Sequence, residues 1–314
     1  MMVQSTKFSH MITVMGENLI DIIVSPTGEV TSVVGGAPLN TARTLARLGH
    51  QATFLGGVSH DAFGNRIKRQ LDADGVGYAL GELTAQSTTL AIAELDDDGA
   101  ATYRFMFEGT AAASLTPQTA VAALNPQTSV LHVGTLALVF DPLAHATQAV
   151  VQAVSASCVV MVDPNCRPSV MTDSTLFNET LKVVLDRADL VKVSGDDLEF
   201  LWPGIPAIDA AKKLQQESGA VVLFTDGAKA VRVITSDSEV VLDVPRVNVV
   251  DTVGAGDSFS GGFLACWLDA GRTRADLHNI DAIVEAAKFG IRVAGLTCQR
   301  AGAEPPFTAD LKIG

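Results

Sequence analysis

Short apolar runs rich in β-branched residues alternate along the chain with stretches in which apolar residues recur at the helical period. The runs predict strands at Ile12–Val24, Ala52–Val58, Val130–Val133, Cys158–Val162, Leu190–Val193 and Val221–Phe224. The helical period covers Leu39–Leu48, Phe63–Leu71, Leu143–Val154, Leu176–Leu185 and Ile208–Gln216, with Asp61 and Asp141 as candidate N-caps. This alternation predicts an α/β fold with a mainly parallel sheet covered by helices on both faces.

One segment departs from the alternation. Thr88–Leu95 and Ala101–Phe107 are two β-like runs joined by Asp96-Asp97-Asp98-Gly99, a strong hairpin turn. A hairpin of this kind predicts a small sheet together with Glu29–Val34, and such a sheet is suited to closing over a cleft. We therefore expect a single domain over residues 1–314 with a lid formed by about residues 24–35 and 86–109. An exposed edge on that lid would favour a homodimer in which the lids pair.

The last third of the chain continues with a hairpin-like pair over Val231–Asp243 and two helical stretches, Asp257–Leu268 and Ile283–Leu296. Its most informative loop lies just before the first of these helices. Gly254-Ala255-Gly256 at a helix start lets several backbone N–H groups converge, and the helix dipole adds positive potential, so the loop predicts an anion site. Asp257 is then either a base that takes a proton as charge migrates or an ordinary helix cap, and the loop alone does not decide between them.

Composition restricts the partners. The 314 residues include 35 acidic and 22 basic side chains, a formal charge of −13, which disfavours nucleic acid and anionic membrane surfaces. No run approaches the roughly 20 apolar residues of a membrane span, and no apolar segment follows the first ten residues, MMVQSTKFSH. We expect a cytoplasmic protein that binds an anionic ligand through a local device.

Asp251–Leu264, with the sequence DTVGAGDSFSGGFL, resembles the C-terminal signature of the ribokinase-like (PfkB) carbohydrate kinases over its whole length. Similar matches occur, in order, at Gly35–Asn40, at Gly56-Gly57-Val58 with Asp61 and Gly64, and at Asp163–Pro168. The resemblance implies a three-layer α/β/α fold and ATP-dependent phosphorylation of a sugar hydroxyl. It also implies that Asp257 is the catalytic base and that the N–H groups of Gly254, Ala255 and Gly256 form an anion hole.

By the same resemblance, the sugar-facing residues are Asp21, Gly35, Gly36, Asn40, Arg167 and Asp257. Carboxylate and amide groups can bind several hydroxyls, and the fork of Arg167 suits a sugar hydroxyl, a substrate carboxylate or a phosphate. Each position also has a plainer interpretation: Asp21 as a solvated strand end, Asn40 as a polar residue at a helix start, and Arg167 as half of a surface ion pair.

The resemblance assigns the nucleotide to Lys192, Ser194, Thr225, Gly227, Gly254, Gly256 and Phe289. Lys192–Asp197 resembles a motif that organises Mg²⁺ through water, although Ser194 and Asp197 stand where the family has Asn and Glu, and helix capping by Ser194 or Asp196 is an alternative. Asp251 is a possible contributor to a K⁺ site. The expected cofactors are ATP and Mg²⁺, with K⁺ as a possible activator.

Among substrates, the resemblance favours fructose, with 2-keto-3-deoxygluconate as its competitor. Nucleosides fit less well because the lid offers few aromatic side chains beyond Tyr103, Phe105 and Phe107, whose spacing places them on one strand face. A different class, a non-catalytic sugar or nucleotide sensor, is suggested by the departures from the family pattern at Ser194, Ala230 and Ile291.

Overall fold

In residues 10–97, 101–171 and 174–312, which the computed structural model describes, nine strands form a large sheet and four form a small one. In spatial order the large sheet is β13 (Glu239–Asp243), β12 (Ala230–Ile234), β11 (Val221–Thr225), β10 (Leu190–Ser194), β9 (Val159–Asp163), β8 (Thr128–Gly134), β1 (Met11–Met15), β4 (Ala52–Leu55) and β5 (Gly77–Tyr78). Its pairings are parallel except at β12 and β13, which form an antiparallel hairpin at one edge. The predicted parallel sheet and the predicted hairpin at Val231–Asp243 are confirmed.

Helices cover both faces of the large sheet. They are α1 (Ala37–Arg47), α2 (Ala62–Asp74), α3 (Pro117–Ala123), α4 (Leu143–Ala153), α5 (Ser174–Leu185), α6 (Gly195–Leu201), α7 (Ala207–Ser218), α8 (Ala255–Asp269) and α9 (Ile280–Thr297). Strand residues alternate between two cores: Val159 and Met161 of β9 pack with α1, α2, α8 and α9, whereas Val160 and Val162 pack with α4 and α5. A three-layer α/β/α architecture results.

The predicted strand Ile12–Val24 is wrong as a single element. The chain forms β1, turns through Gly16-Glu17-Asn18, and enters the small sheet as β2 (Leu19–Val24). A side chain at position 16 would place its Cβ 2.4 Å from Cγ of Pro38, so the turn is pressed against the start of α1. Apolar residues on both sides of the turn hide this break from a pattern of hydrophobicity.

The small sheet has the order β3 (Val30–Gly35), β2, β6 (Leu90–Leu95) and β7 (Ala101–Met106). It contains the predicted β3, β6 and β7, but the hairpin pairs with β2 rather than directly with β3. The strand between them, β2, is the second half of the predicted strand Ile12–Val24. Asp98 and Gly99 of the predicted turn lie outside the described residues, as do residues 1–9.

Of the two predicted caps, one is confirmed. Asp61 accepts a hydrogen bond from the Gly64 N–H, 2.7 Å, at the start of α2. Asp141 does not cap α4, because Pro142 occupies the N-cap and the Asp141 carboxylate instead contacts Nδ1 of His145 at 2.5 Å. Within the described ranges, none of the helices is long and apolar enough to cross a lipid bilayer.

A buried cluster of charges ties α1 and α2 to the C-terminal loop. The Asp74 carboxylate accepts from Nε of Arg43 at 2.6 Å and from Nε of Arg47 at 2.7 Å, and both arginines also contact Glu304. Burial opposes the charge on Asp74, but the two guanidinium groups hold the pKa of its carboxyl below the ordinary value. The cluster therefore depends on Asp74 remaining ionised between two cations.

We predict that Asp74→Ala destabilises the protein by about 3–5 kcal/mol, because it leaves two buried guanidinium groups without their shared carboxylate. Asp72, two residues earlier on α2, forms an exposed pair with Lys68, and Asp72→Ala should change stability by no more than about 0.5 kcal/mol. Urea unfolding followed by circular dichroism gives both free energies. Equal losses in the two variants would contradict this account of the cluster.

Candidate active site

A cavity of about 420 Å³ lies where carboxyl ends of the large sheet meet the N-terminus of α8 and one face of the small sheet. Open α/β sheets commonly bind ligands at this edge. Nine of the sequence-predicted site residues line the cavity: Asp21, Gly36, Asn40, Arg167, Lys192, Ser194, Gly254, Gly256 and Asp257. Residues separated by more than 230 positions are thus brought to one wall.

Asp257 is the third residue of α8 and is not its cap. Gly254 occupies the N-cap position, so the capping interpretation of Asp257 is wrong. The Asp257 side chain instead accepts a hydrogen bond at Oδ2 from Nδ2 of Asn40, 2.9 Å, across the contact between α1 and α8. The Thr41 hydroxyl donates to the Asp257 carbonyl, 3.4 Å, which adds a second link between the two helices.

The environment of Asp257 favours its neutral form more than water does. Burial raises the pKa of the carboxyl to about 6, and the negative charge of Asp163 acts in the same direction. The Asn40 hydrogen bond and the positive charges of Lys192 and Arg167 oppose the rise. A carboxyl of this kind is ionised at neutral pH yet basic enough to accept a proton from a reacting hydroxyl.

The turn before Asp257 is closed to side chains from two directions. Gly254 has φ +74°, and a Cβ there would lie 2.6 Å from Cβ of Ala303 in the C-terminal loop. A Cβ on Gly256 would lie 2.8 Å from Nζ of Lys192, so the ammonium group rests against the turn. The Ala255 N–H closes a turn with the Thr252 carbonyl at 3.2 Å. Backbone dipoles at the start of α8 and a lysine cation together make this corner electropositive.

Lys192 is held in place by a buried ion pair. Its Nζ lies 3.1 Å from Oδ2 of Asp163, and both side chains are almost fully buried. Burial opposes the charge on Lys192, but attraction to Asp163, Asp197 and Asp257 raises the pKa of the ammonium above its ordinary value. The lysine is therefore a permanent cation directed toward the anion turn.

Asp21 of β2 and Arg167 of the loop after β9 both line the cavity. Burial raises the pKa of Asp21 to about 6, and the charge of Arg167 opposes this rise. A Cβ on Gly35 would lie 2.1 Å from Oδ2 of Asp21, so the glycine at the end of β3 makes room for this carboxylate. Arg167 donates to the side chain and carbonyl of Asn165, 2.7 and 3.2 Å, within its own loop.

Ser194 and Asp197 cap helix α6. The Ser194 hydroxyl accepts from the Asp197 N–H, 3.1 Å, and Oδ2 of Asp197 accepts from the Ser194 N–H, 2.8 Å, and hydroxyl, 2.6 Å. The other oxygen of Asp197 accepts from the Cys166 N–H at 2.6 Å. The capping alternative is confirmed for Ser194, and both oxygens of the Asp197 carboxylate accept hydrogen bonds from protein groups.

The remaining predicted residues lie outside the cavity wall. Thr225 ends β11, and its hydroxyl donates to the Val193 carbonyl at 3.2 Å. Gly227 lies in the β11–β12 turn with φ +54°. Phe289 on α9 is partly buried against the core. Asp251 accepts from the N–H groups of Val253 and Gly302, 3.0 and 2.8 Å, and so joins the anion loop to the C-terminal loop. Their nucleotide and cation roles remain predictions.

The cavity wall also includes residues that are not among the individually predicted site residues. Glu17 lies in the turn between β1 and β2, and Thr135 and Leu136 follow β8. Tyr103 and Phe105, interpreted as possible lid core, form part of the wall, with ring centroids 6.1 Å apart. An acidic residue directly after a glycine at a buried strand end was the available signal for Glu17.

Comparison with known proteins places this site in a family. Residues 9–310 match the model of the pfkB family of carbohydrate kinases. A fructokinase of Rhizobium leguminosarum bv. trifolii is 36% identical over 261 residues, covering 81% of this chain and 79% of the relative.

Two solved structures share the fold at 26% identity. A Xylella fastidiosa fructokinase with bound ATP has a TM-score of 0.84, covering 97% of this chain and 98% of that one. A Vibrio cholerae O395 fructokinase bound to fructose, ADP and calcium ion has a TM-score of 0.81, covering 94% of each chain.

The ribokinase-like fold and a basic carboxylate beside an anion turn define a phosphoryl-transfer enzyme. The chain belongs to the pfkB family of carbohydrate kinases and is an ATP-dependent sugar kinase. The family resemblance stated from the sequence is confirmed.

We predict that Asn40→Ala raises the pKa of Asp257 from about 6 by roughly half to one unit, since a hydrogen bond to the ionised carboxylate is lost. Carbon-13 spectra of protein labelled at aspartate carboxyl groups report the midpoint without requiring turnover. Asn65→Ala is the matched control, because Asn65 is an exposed asparagine whose side chain donates to the nearby carbonyls of His60 and Asp61. A midpoint that stays or falls in Asn40→Ala would show that this contact does not favour the ionised base.

Proposed function

We propose that the protein phosphorylates a primary hydroxyl of free fructose with ATP. The observation that carries this proposal is the Asp257 carboxylate, fixed by Asn40 at 2.9 Å and set beside a turn whose Gly256 lies against the Lys192 ammonium. A base and an anion cradle within one cavity are the two parts that phosphoryl transfer to an alcohol needs.

In the proposed reaction, Asp257 accepts the proton of the sugar hydroxyl as its oxygen attacks the γ-phosphorus. The bond between that phosphorus and the oxygen bridging to the β-phosphate breaks, and its electron pair leaves with ADP. Negative charge on the transferred group is stabilised by the amides at the start of α8 and by Lys192. Preorganised donors of this kind contribute several kcal/mol to a transition state, and a positioned base about 10²- to 10⁴-fold in rate.

We assign Thr225, Gly227 and Phe289 to the nucleotide, together with Lys192, Ser194 and the Gly254–Gly256 turn. A bound divalent cation would neutralise phosphate charge during transfer. Both oxygens of Asp197 accept hydrogen bonds from protein groups, which supports a role near Mg²⁺ through water rather than as a direct ligand. We place a K⁺ site at the loop that Asp251 joins to Gly302, where backbone carbonyls are the donors available.

Fructose is favoured by the polar lining of the cavity and by the relatives. Asp21, Asn40 and Arg167 supply acceptors and donors suited to several hydroxyl groups. The Rhizobium relative is a fructokinase, and the Vibrio cholerae structure contains fructose and ADP. A keto-deoxy sugar acid such as 2-keto-3-deoxygluconate is the second candidate, since the Arg167 guanidinium in the same cavity could bind its carboxylate.

The small sheet is the proposed lid of a single domain. Tyr103 and Phe105 of β7 line the cavity from this sheet, so its movement would open and close the substrate site. Val30, Val33 and Met106 expose apolar surface on the same sheet, which supports a homodimer formed through the lid. We place the enzyme in the cytoplasm.

The test of the proposed function is an ADP-release screen of the purified protein with MgATP over ketoses, aldoses, keto-deoxy acids and nucleosides. We expect the highest kcat/KM for fructose. A higher value for a keto-deoxy acid would favour the second candidate. Absence of sugar-dependent ADP release over the whole panel would contradict the proposal and favour the sensor interpretation.

We predict that Asp257→Asn abolishes turnover, a loss of at least about 10²- to 10⁴-fold in kcat, because the amide cannot accept the proton. ATP binding measured by calorimetry should remain, since the amides of the turn and Lys192 are unchanged. Asp269→Asn, at the exposed far end of the same helix, is the matched control and should keep normal kcat. A near-normal kcat in Asp257→Asn would refute the role of the base.

A further inference from the structure

Glu17 is a buried carboxyl group in the cavity to which the proposed reaction gives no role. It lies in the turn between β1 and β2, is 1% exposed, and lines the same space as Asp257 and Arg167. Acidic side chains are rarely buried so completely unless they are paired or functional. Its position at the junction of the two sheets therefore calls for an explanation.

The backbone around Glu17 is fixed from two sides. A Cβ on Gly36 would lie 2.8 Å from the Glu17 carbonyl oxygen, so the turn is in close contact with the start of α1. On the other side, Nδ2 of Asn18 donates to the Gly57 carbonyl at 2.7 Å. With its backbone held in this way, Glu17 stays within the cavity wall.

One carboxyl oxygen of Glu17 has no partner. Oε2 is buried and makes no hydrogen bond among the described residues, and the same holds for Oδ1 of Asn40 in the same wall. An ionised carboxylate with a bare buried oxygen is costly, whereas a neutral acid needs only an acceptor for its proton. The cavity wall thus holds one candidate donor and one candidate acceptor that lack protein partners among the described residues.

The surrounding charges favour the neutral acid. Burial raises the pKa of Glu17 to about 8, and the charge of Asp257 on α8 adds to the rise. The backbone N–H groups of Glu17 and Ala37 and the charge of Arg167 act in the opposite direction. Asp21 on β2 and Lys192 on β10 are the other charged groups lining this cavity. At neutral pH the Glu17 side chain is therefore protonated in most molecules.

We propose that Glu17 is a substrate-positioning acid that donates a hydrogen bond from Oε2 to an oxygen of the bound sugar and so orients the acceptor hydroxyl toward Asp257. The assignment rests on the proposed sugar kinase function and adds a specificity residue to it. Two carboxyl groups of the cavity then have opposite requirements, since Asp257 acts ionised and Glu17 acts protonated.

Ionisation of Glu17 has a definite cost for binding. Above a pH of about 8 the donor becomes a second negative charge close to Asp257 and to the incoming phosphate. The activity that depends on neutral Glu17 is therefore present below that pH and lost above it. Ionisation of Asp257 has the opposite effect, because activity rises as the pH passes about 6 and the base loses its proton.

The experiment measures kcat/KM for the best sugar of the panel between pH 6.5 and 10 in wild type, Glu17→Gln, Glu17→Ala and Asp21→Asn. Glu17→Ala should lose about tenfold in kcat/KM at pH 7, the worth of one hydrogen bond in the site. Glu17→Gln keeps a neutral donor, so it should lose less and no longer show the alkaline decline. Asp21→Asn removes another carboxyl of the same cavity and should retain that decline.

A second measurement is independent of turnover. The spectrum of protein labelled with carbon-13 at glutamate carboxyl groups, minus that of Glu17→Gln, isolates the Glu17 signal without sugar. A protonated signal at pH 7 is expected, and an ionised one would overturn the proposal whatever the substrate. An unchanged alkaline decline in Glu17→Gln would also overturn it, whereas failure of the whole sugar panel would count against the proposed function and leave the spectroscopic result to decide on Glu17.

Discussion

Helix α8 lies closer to its neighbours than side chains allow, and the position of Asp257 depends on that contact. A Cβ on Gly261 would lie 2.6 Å from Cβ of Thr44 on α1, and one on Gly262 would lie 2.9 Å from Cβ of Val293 on α9. Protein interiors accept few such overlaps, so larger residues would force the helices apart. The 2.9 Å contact between Asn40 and Asp257 exists because α1 and α8 can approach this closely.

Ionisable groups are concentrated beside this helix contact, in a place that water hardly reaches. Lys192, Asp163, Asp257 and Glu17 are all at least nine-tenths buried, and burying charged groups opposes folding unless partners compensate. Lys192 and Asp163 compensate each other at 3.1 Å, but Oδ1 of Asp163 and Oε2 of Glu17 have no partner among the described residues. This edge of the sheet is thus organised for binding a polar ligand rather than for maximal stability.

Local patterns in the sequence were sufficient for the elements and for the chemistry of one loop. The helical period located seven helices to within a few residues, and the Gly-Ala-Gly turn before Asp257 predicted an anion site without reference to any other segment. The break at Gly16–Asn18 was missed because apolar residues continue across it. It follows from tertiary structure: β1 and β2 pair in different sheets, and the turn between them lies against Pro38. Likewise, nothing in the spacing of Lys192 and Asp163 indicates that parallel strands β9 and β10 bring them into an ion pair.

The division of the chain between two sheets also divides the work of the site. The groups proposed to handle phosphate lie on the large sheet and its helix: the Gly254–Gly256 turn, Lys192 and Asp257. The groups that would distinguish one sugar from another lie at or beyond the junction, with Glu17 in the connecting turn, Asp21 on β2, and Tyr103 with Phe105 on β7. Substitutions in the small sheet can therefore change the shape of the sugar site without moving the base, whose position is set by helix packing on the other side of the cavity. A fold arranged in this way can exchange substrates while it keeps one phosphoryl-transfer centre.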